Sequence, residues 1–81
     1  MNFNLFIGKR ISELRRLKEI SQEELAYKAK IDRTYMSSIE RGKRSISLIV
    51  AIKIASALDT SILSLIEKPD GTYIGSKDIT K

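Results

Sequence analysis

Arg33, Thr34, Ser37, Ser38 and Arg41 fall on one arc when the stretch from Asp32 to Gly42 is wound at about 100° per residue, and Tyr35, Met36 and Ile39 fall on another. The first arc carries guanidiniums and hydroxyls with no carboxylate, side chains that can bond base edges and phosphate oxygens. The second arc is apolar and docks on a core. The stretch also supplies its own ends. Asp32 can accept a bond from an orphaned backbone N–H at the N-terminus, and Gly42 can take the left-handed conformation at the C′ position. Beyond it, Lys43-Arg44-Ser45 forms a basic loop suited to gripping phosphates, so Arg41, Lys43 and Arg44 are candidates for positioning rather than reading. Glu40 is the exception, because phosphate would repel its carboxylate. Pairing with a basic residue such as Arg15 or Lys18 would make it a fixing point for the helix instead.

Bulk properties narrow what such a surface can serve. The chain has 81 residues, enough for one domain and too few for a second useful core. It carries 15 Lys and Arg against 10 Asp and Glu, a net charge of +5 that suits a polyanionic partner, although a basic run is equally a solvated face. With no Cys and no His, disulfides, thiolate ligands, the commonest metal ligand and the commonest general base are all missing. An enzyme is disfavoured, and no cofactor or metal is called for. The longest apolar run, Leu48 to Ile52, falls far short of the ~20 residues of a membrane span, and Met1 to Lys9 lacks the order of a secretion signal. A soluble cytoplasmic protein is expected.

The elements that position the arc can be read on either side of it. Phe3, Phe6, Ile7, Ile11, Leu14 and Leu17 recur at three- and four-residue steps and predict an amphipathic scaffold helix over residues 3–18. Ser21 and Glu24 form a capping box that opens a short helix through Ala29, with Leu25, Ala26 and Ala29 inward. Gln22 lies at its N-terminus, where backbone N–H groups and the helix dipole favour an anion. Only Lys30, Ile31 and Asp32 separate this helix from the next, and a turn of ~3–4 residues between short helices is the helix-turn-helix spacing. With Ser21-Gln22-Glu23-Glu24-Leu25-Ala26 followed by Ile39-Glu40-Arg41-Gly42-Lys43-Arg44, the chain resembles the lambda-repressor-like (Cro, XRE) helix-turn-helix regulators over residues 6–66. Asp32 to Met36 and Arg44 to Leu48 look most like the controller proteins of restriction–modification systems.

That resemblance implies a DNA-binding transcriptional regulator acting as a bacterial, nucleoid-associated homodimer on an operator with inverted half-sites, with RNA polymerase a further partner. It implies that Arg33, Thr34, Ser37 and Ser38 read bases, that Gln22, Tyr35, Arg41, Lys43 and Arg44 contact backbone, and that Tyr27 and Lys28 lie near it. A phage-type repressor or an antitoxin with a toxin partner would use the same fold, and neighbouring genes discriminate between them.

Ser47 is expected to cap a fourth helix, Leu48 to Leu58, apolar most of the way round and therefore buried on more than one side. The stripe Leu48, Ile52 and Ala55 is expected to face its own subunit. A fifth helix should run from Ser61 to about Glu67, with Ile62, Leu65 and Ile66 facing in and Leu63 out. Asp59 stands where these regulators usually carry Gly, and Asp tolerates the left-handed conformation. Ile49, Val50, Ile62, Leu63 and Ile66 are the candidate dimer interface. The expected fold is all-α, a five-helix domain over residues 1–68. Pro69-Asp70-Gly71 then signals a turn into a polar tail over 69–81, expected to be mobile unless Tyr73 and Ile74 fold back on the domain or on a partner.

Overall fold

The computed structural model describes residues 1–79 and is all-helical in its regular elements. Helices α1 (Phe3–Leu17), α2 (Gln22–Ala29), α3 (Arg33–Glu40) and α4 (Leu48–Ala57) are followed by a 3₁₀-helix (Ile62–Ile66) and a single-turn α5 (Ser76–Ile79). The fifth helix of the domain is therefore 3₁₀ rather than α, and Ser61 makes no side-chain capping bond to it.

Each longer helix begins where a side chain accepts from its first turn. Asn2 caps α1, Ser21 caps α2 through the Glu24 N–H at 2.9 Å, and Ser47 caps α4 through the Val50 N–H at 3.1 Å. The Ser21–Glu24 box is half formed: Glu24 is instead paired with Lys28, one turn on, at 3.4 Å. The C-termini close alike. Glu19, Lys30, Gly42 and Asp59 all have positive φ near 55–74°, and the amide after each bonds back to the last helical turn, as from Lys43 to the Ser38 carbonyl at 2.9 Å. Only one of these positions is a glycine, and there a side chain would also press on Leu5.

The core is Ile7, Ile11, Leu25, Met36, Ile39, Ile54, Leu58 and Leu65 with Ala26, Ala29, Ala51 and Ala55. Two packing choices differ from the sequence expectation. In α1 the buried arc is turned toward Gly8 and Ser12, leaving Leu17 75% exposed. The cause is close approach: a methyl group at Gly8 would run into the carbonyl oxygens of Ile39 and Glu40, so α3 crosses α1 where α1 is thinnest. In α4 the inward residues are Ala51, Ile54, Ala55 and Leu58, whereas Leu48 is 69% and Ile52 52% exposed. Helix α4 packs on α2, and its buried arc carries the small Ala51 and Ala55 beside Ile54. Leu48 and Ile52 therefore do not face their own subunit.

The segment after the 3₁₀-helix turns back on it. Glu67 and Tyr73 form an antiparallel bridge, and the Ile74 N–H reaches the Ile66 carbonyl at 3.0 Å. The turn Lys68 to Thr72 is closed by Asp70, which accepts from the Thr72 hydroxyl at 2.6 Å and its N–H at 3.0 Å, bonds that hold the Asp70 carboxyl below the usual carboxylate range. Lys68 pairs with Asp78 at 3.2 Å. Tyr73 and Ile74 are thus bonded back to the end of the 3₁₀-helix, and the end of the expected tail, Thr80 and Lys81, lies outside the described residues.

Candidate nucleic-acid interface

Helix α3 presents its polar arc outward. Met36 and Ile39 are fully buried and Tyr35 is packed against the core. Arg33, Thr34 and Arg41 are exposed, and Ser37 and Ser38 are half-buried between them. The two carboxylates that flank the helix are both bonded within the protein. Asp32 accepts from the backbone of Thr34 at 2.8 Å and Tyr35 at 3.3 Å. Glu40, with its side chain only 6% exposed, accepts from both Nε and Nη2 of Arg15 at 2.8 and 3.1 Å. Of the two partners foreseen for Glu40, Arg15 is the one used.

Neither acid therefore offsets the nearby cations. Among the described residues no ion pair engages Arg33, Arg41, Lys43 or Arg44. Arg41 leans back to donate to its own helix at the Ser37 carbonyl, 3.3 Å away. Arg44 lies over the Tyr35 ring, 4.9 Å from its centroid. A stacked guanidinium gives up rotamer freedom but keeps its charge and its remaining N–H donors, so the α3–α4 loop is held against the helix it follows. Gln22 is less free than an ordinary first-turn residue, because its Nε2 donates to Glu40 at 3.2 Å. Tyr27 and Lys28 project from the outer side of α2, with Tyr27 83% exposed.

The structure brings Arg33, Thr34, Ser37, Ser38 and Arg41 onto one outward face and sets the Lys43–Arg44 loop at its end. It also shows a second outward face that sequence reasoning saw only in part. Ile49 (67%) and Leu63 (49%) are exposed, and so are Leu48 and Ile52. Val50, Ile62 and Ile66 are instead half-buried against their own core. An apolar groove of about 350 Å³ lies where α1, α4 and the 3₁₀-helix meet, lined by Phe3, Ile7, Leu48, Ala51, Ile62 and Leu65 among others. Among the described residues there is no group of side chains spaced to hold a metal and no helix long and apolar enough to cross a membrane.

Comparison with known proteins agrees with this geometry. Residues 11–65 match the family model described as helix-turn-helix. The chain is 40% identical over 76 residues to the control protein C.BamHI of Bacillus amyloliquefaciens, spanning 93% of this chain and 90% of that one. It is 32% identical over 77 residues to the HTH-type transcriptional regulator y4dJ of Sinorhizobium fredii, spanning 95% of this chain and 100% of that protein. The crystal structure of the restriction–modification controller protein C.AhdI from Aeromonas hydrophila superposes with a TM-score of 0.75 at 42% identity, over 76% of this chain and 94% of that one. The chain belongs to the Cro/XRE-type helix-turn-helix family of DNA-binding transcriptional regulators, with α2 and α3 as its helix-turn-helix.

Proposed function

We propose that this regulator is a controller protein that works in the cytoplasm as a homodimer on an operator made of two inverted half-sites. The observation that carries the DNA surface is the outward arc of α3, whose cations stay unpaired because Asp32 and Glu40 are bonded internally. In this reading Arg33, Thr34, Ser37 and Ser38 meet base edges in the major groove. Gln22, Tyr35, Arg41, Lys43 and Arg44 fix the register on phosphate. The dimer forms through the exposed face of α4 and the 3₁₀-helix, with Ile49 and Leu63 central, Leu48 and Ile52 beside them, and Val50, Ile62 and Ile66 lining its base. A two-fold axis through that face makes the contact self-complementary, and pairs two copies of α3 on one side of the duplex.

The similarity to C.BamHI and C.AhdI supports the biological role. Bound upstream of its own gene and an endonuclease gene, the dimer would set expression by its occupancy, with RNA polymerase as the neighbour it helps or blocks. Methyltransferase and endonuclease genes next to the coding sequence are the expected genomic context. A toxin gene there would instead favour the antitoxin reading. The biochemical test selects duplexes from a randomised pool and compares their affinity with scrambled duplex. We expect a preference of about 10³-fold or more; equal affinity for both contradicts the reading.

A further inference from the structure

Residues 67–79 follow the stretch that the family model matches, which ends at residue 65, and none of residues 67–75 is buried. They nevertheless close on themselves. The Lys68 N–H donates to the Thr72 carbonyl at 2.7 Å and the Gly71 N–H to the Lys68 carbonyl at 2.9 Å. Asp78 accepts from the Gly75 N–H at 2.8 Å and from Lys68 Nζ at 3.2 Å. The strap so formed meets α1 through Glu67, whose Oε1 accepts from Arg10 Nη2 at 3.3 Å. It meets the 3₁₀-helix through the Ile74 N–H, which donates to the Ile66 carbonyl at 3.0 Å.

That second bond acts on an element that is weakly held by itself. A 3₁₀-helix has poorer hydrogen-bond geometry than an α-helix, and this one starts without a side-chain cap. The carbonyls of its last turn have no partner within the helix and are met from outside, Ser64 by Arg10 Nε at 2.7 Å and Ile66 by the strap. With three residues per turn, Ile62 and Leu65 stack on one edge, and Leu63 and Ile66 stack on another. Leu65 is fully buried and seats the helix on the core, whereas Leu63 is 49% exposed. Apolar packing of the seated edge is non-directional. A hydrogen bond is directional, and this one lands on the edge that carries Leu63.

We infer that the strap, residues 67–78, is a positioning element for self-association: by bonding Ile66 it fixes the edge of the 3₁₀-helix that carries Leu63, and so sets the concentration at which two chains pair. The inference rests on the reading of the α4 and 3₁₀ face as the dimer interface. For a regulator whose occupancy follows its dimer, that concentration is the threshold of the response. The test compares Ile74→Pro, which deletes the N–H, with Ile74→Ala, which trims the side chain and keeps it. Proline favours an extended residue before it, and Tyr73 is already paired in a β-bridge. Sedimentation equilibrium reads the dimer dissociation constant, circular dichroism the helix content, and titration of a duplex bearing one half-site the DNA surface of a single chain. Ile74→Pro should raise the dimer dissociation constant about tenfold or more over Ile74→Ala, because the two-fold axis removes the bond twice. Helix content and half-site affinity should not change. Equal dimer constants for the two variants overturn the inference. So does a half-site affinity that falls in step with the dimer constant, since the strap would then support the whole domain rather than its interface. If Ile74→Pro fails to fold, Asp70→Ala opens the exposed turn instead and must weaken the dimer relative to the native protein; an unchanged dimer overturns the inference. A native protein that is monomeric at every concentration refutes the dimer reading itself. A dimer broken by Leu63→Glu but indifferent to Ile74→Pro refutes the strap's role alone.

Discussion

The outward faces of α3 and of α4 are opposites in chemistry. On α3 the surface is polar and cationic, every neighbouring carboxylate is bonded inward, and the buried side is narrow: Met36 and Ile39, with Tyr35 half in. On α4 both sides are apolar, and the outward side carries Leu48, Ile49 and Ile52 in solvent, joined by Leu63 of the 3₁₀-helix. One face is left with unpaired charge and the other with uncovered hydrocarbon. In the proposed function the first face meets a polyanion and the second meets a second copy of the chain.

The contrast can be broken most strongly on the apolar side. Leu63→Glu should destabilise the dimer by roughly 3–6 kcal/mol, twice the ~1.5–3 kcal/mol of burying one leucine because the two-fold repeats the contact. Sedimentation should show monomers with undiminished helical circular dichroism, and operator affinity should fall steeply as the linked second half-site is lost. A dimer of native affinity would remove this face from the account, and a collapsed helical signal would place Leu63 in the core. Gly8→Ala acts beneath both faces, because the added methyl meets backbone carbonyls that cannot move aside cheaply. A loss of about 1–3 kcal/mol is expected, seen as a lower melting temperature, and an unchanged melt would mean that α1 and α3 have room to separate.

On the polar side, Arg33→Ala should cost about 1–3 kcal/mol on the operator and little on scrambled duplex. Equal losses would show that Arg33 touches only phosphate. Lys43→Gln should weaken both DNAs alike and flatten the log-affinity versus log-salt slope by about 0.9 per protomer. A slope that does not move would return Lys43 to the solvated surface. The smallest effect belongs to the turn between α2 and α3, where Lys30 holds φ 59°. Lys30→Gly should stabilise the domain by a few tenths of a kcal/mol to about 1, since glycine avoids the left-handed cost but gains chain entropy when unfolded. A chemical melt that shifts the other way would mean the Lys30 side chain contributes more than its backbone costs.

The same contrast explains what was legible in the sequence. The α3 arc could be read because polar and apolar residues alternate around it with the helical period, and because Asp32 and Gly42 state where it begins and ends. Ser47 and Asp59 were legible for the same reason, each a residue type matched to a backbone geometry. Helix α4 offered no such guide, since a helix apolar most of the way round does not say which arc meets its own core. In the fold the inward arc is the one with Ala51, Ile54, Ala55 and Leu58. In α1, Leu17 fits the three- and four-residue spacing as well as Ile11 does, but the decisive residue was Gly8, which has no side chain to enter a hydrophobic count. The bonds of Gln22 to Glu40 and of Arg44 to Tyr35 depend on long side chains meeting across the fold, and spacing along the chain carries no trace of them.

The central claim is that the apolar face pairs two chains so that two copies of the α3 face reach one duplex together. Hydroxyl-radical footprinting of the native protein on its selected operator measures this directly. The account predicts two protected stretches related by inversion, with centres about 10–10.5 base pairs apart, or ~34–36 Å along the helix axis. A single protected stretch, or two in direct repeat, would contradict it.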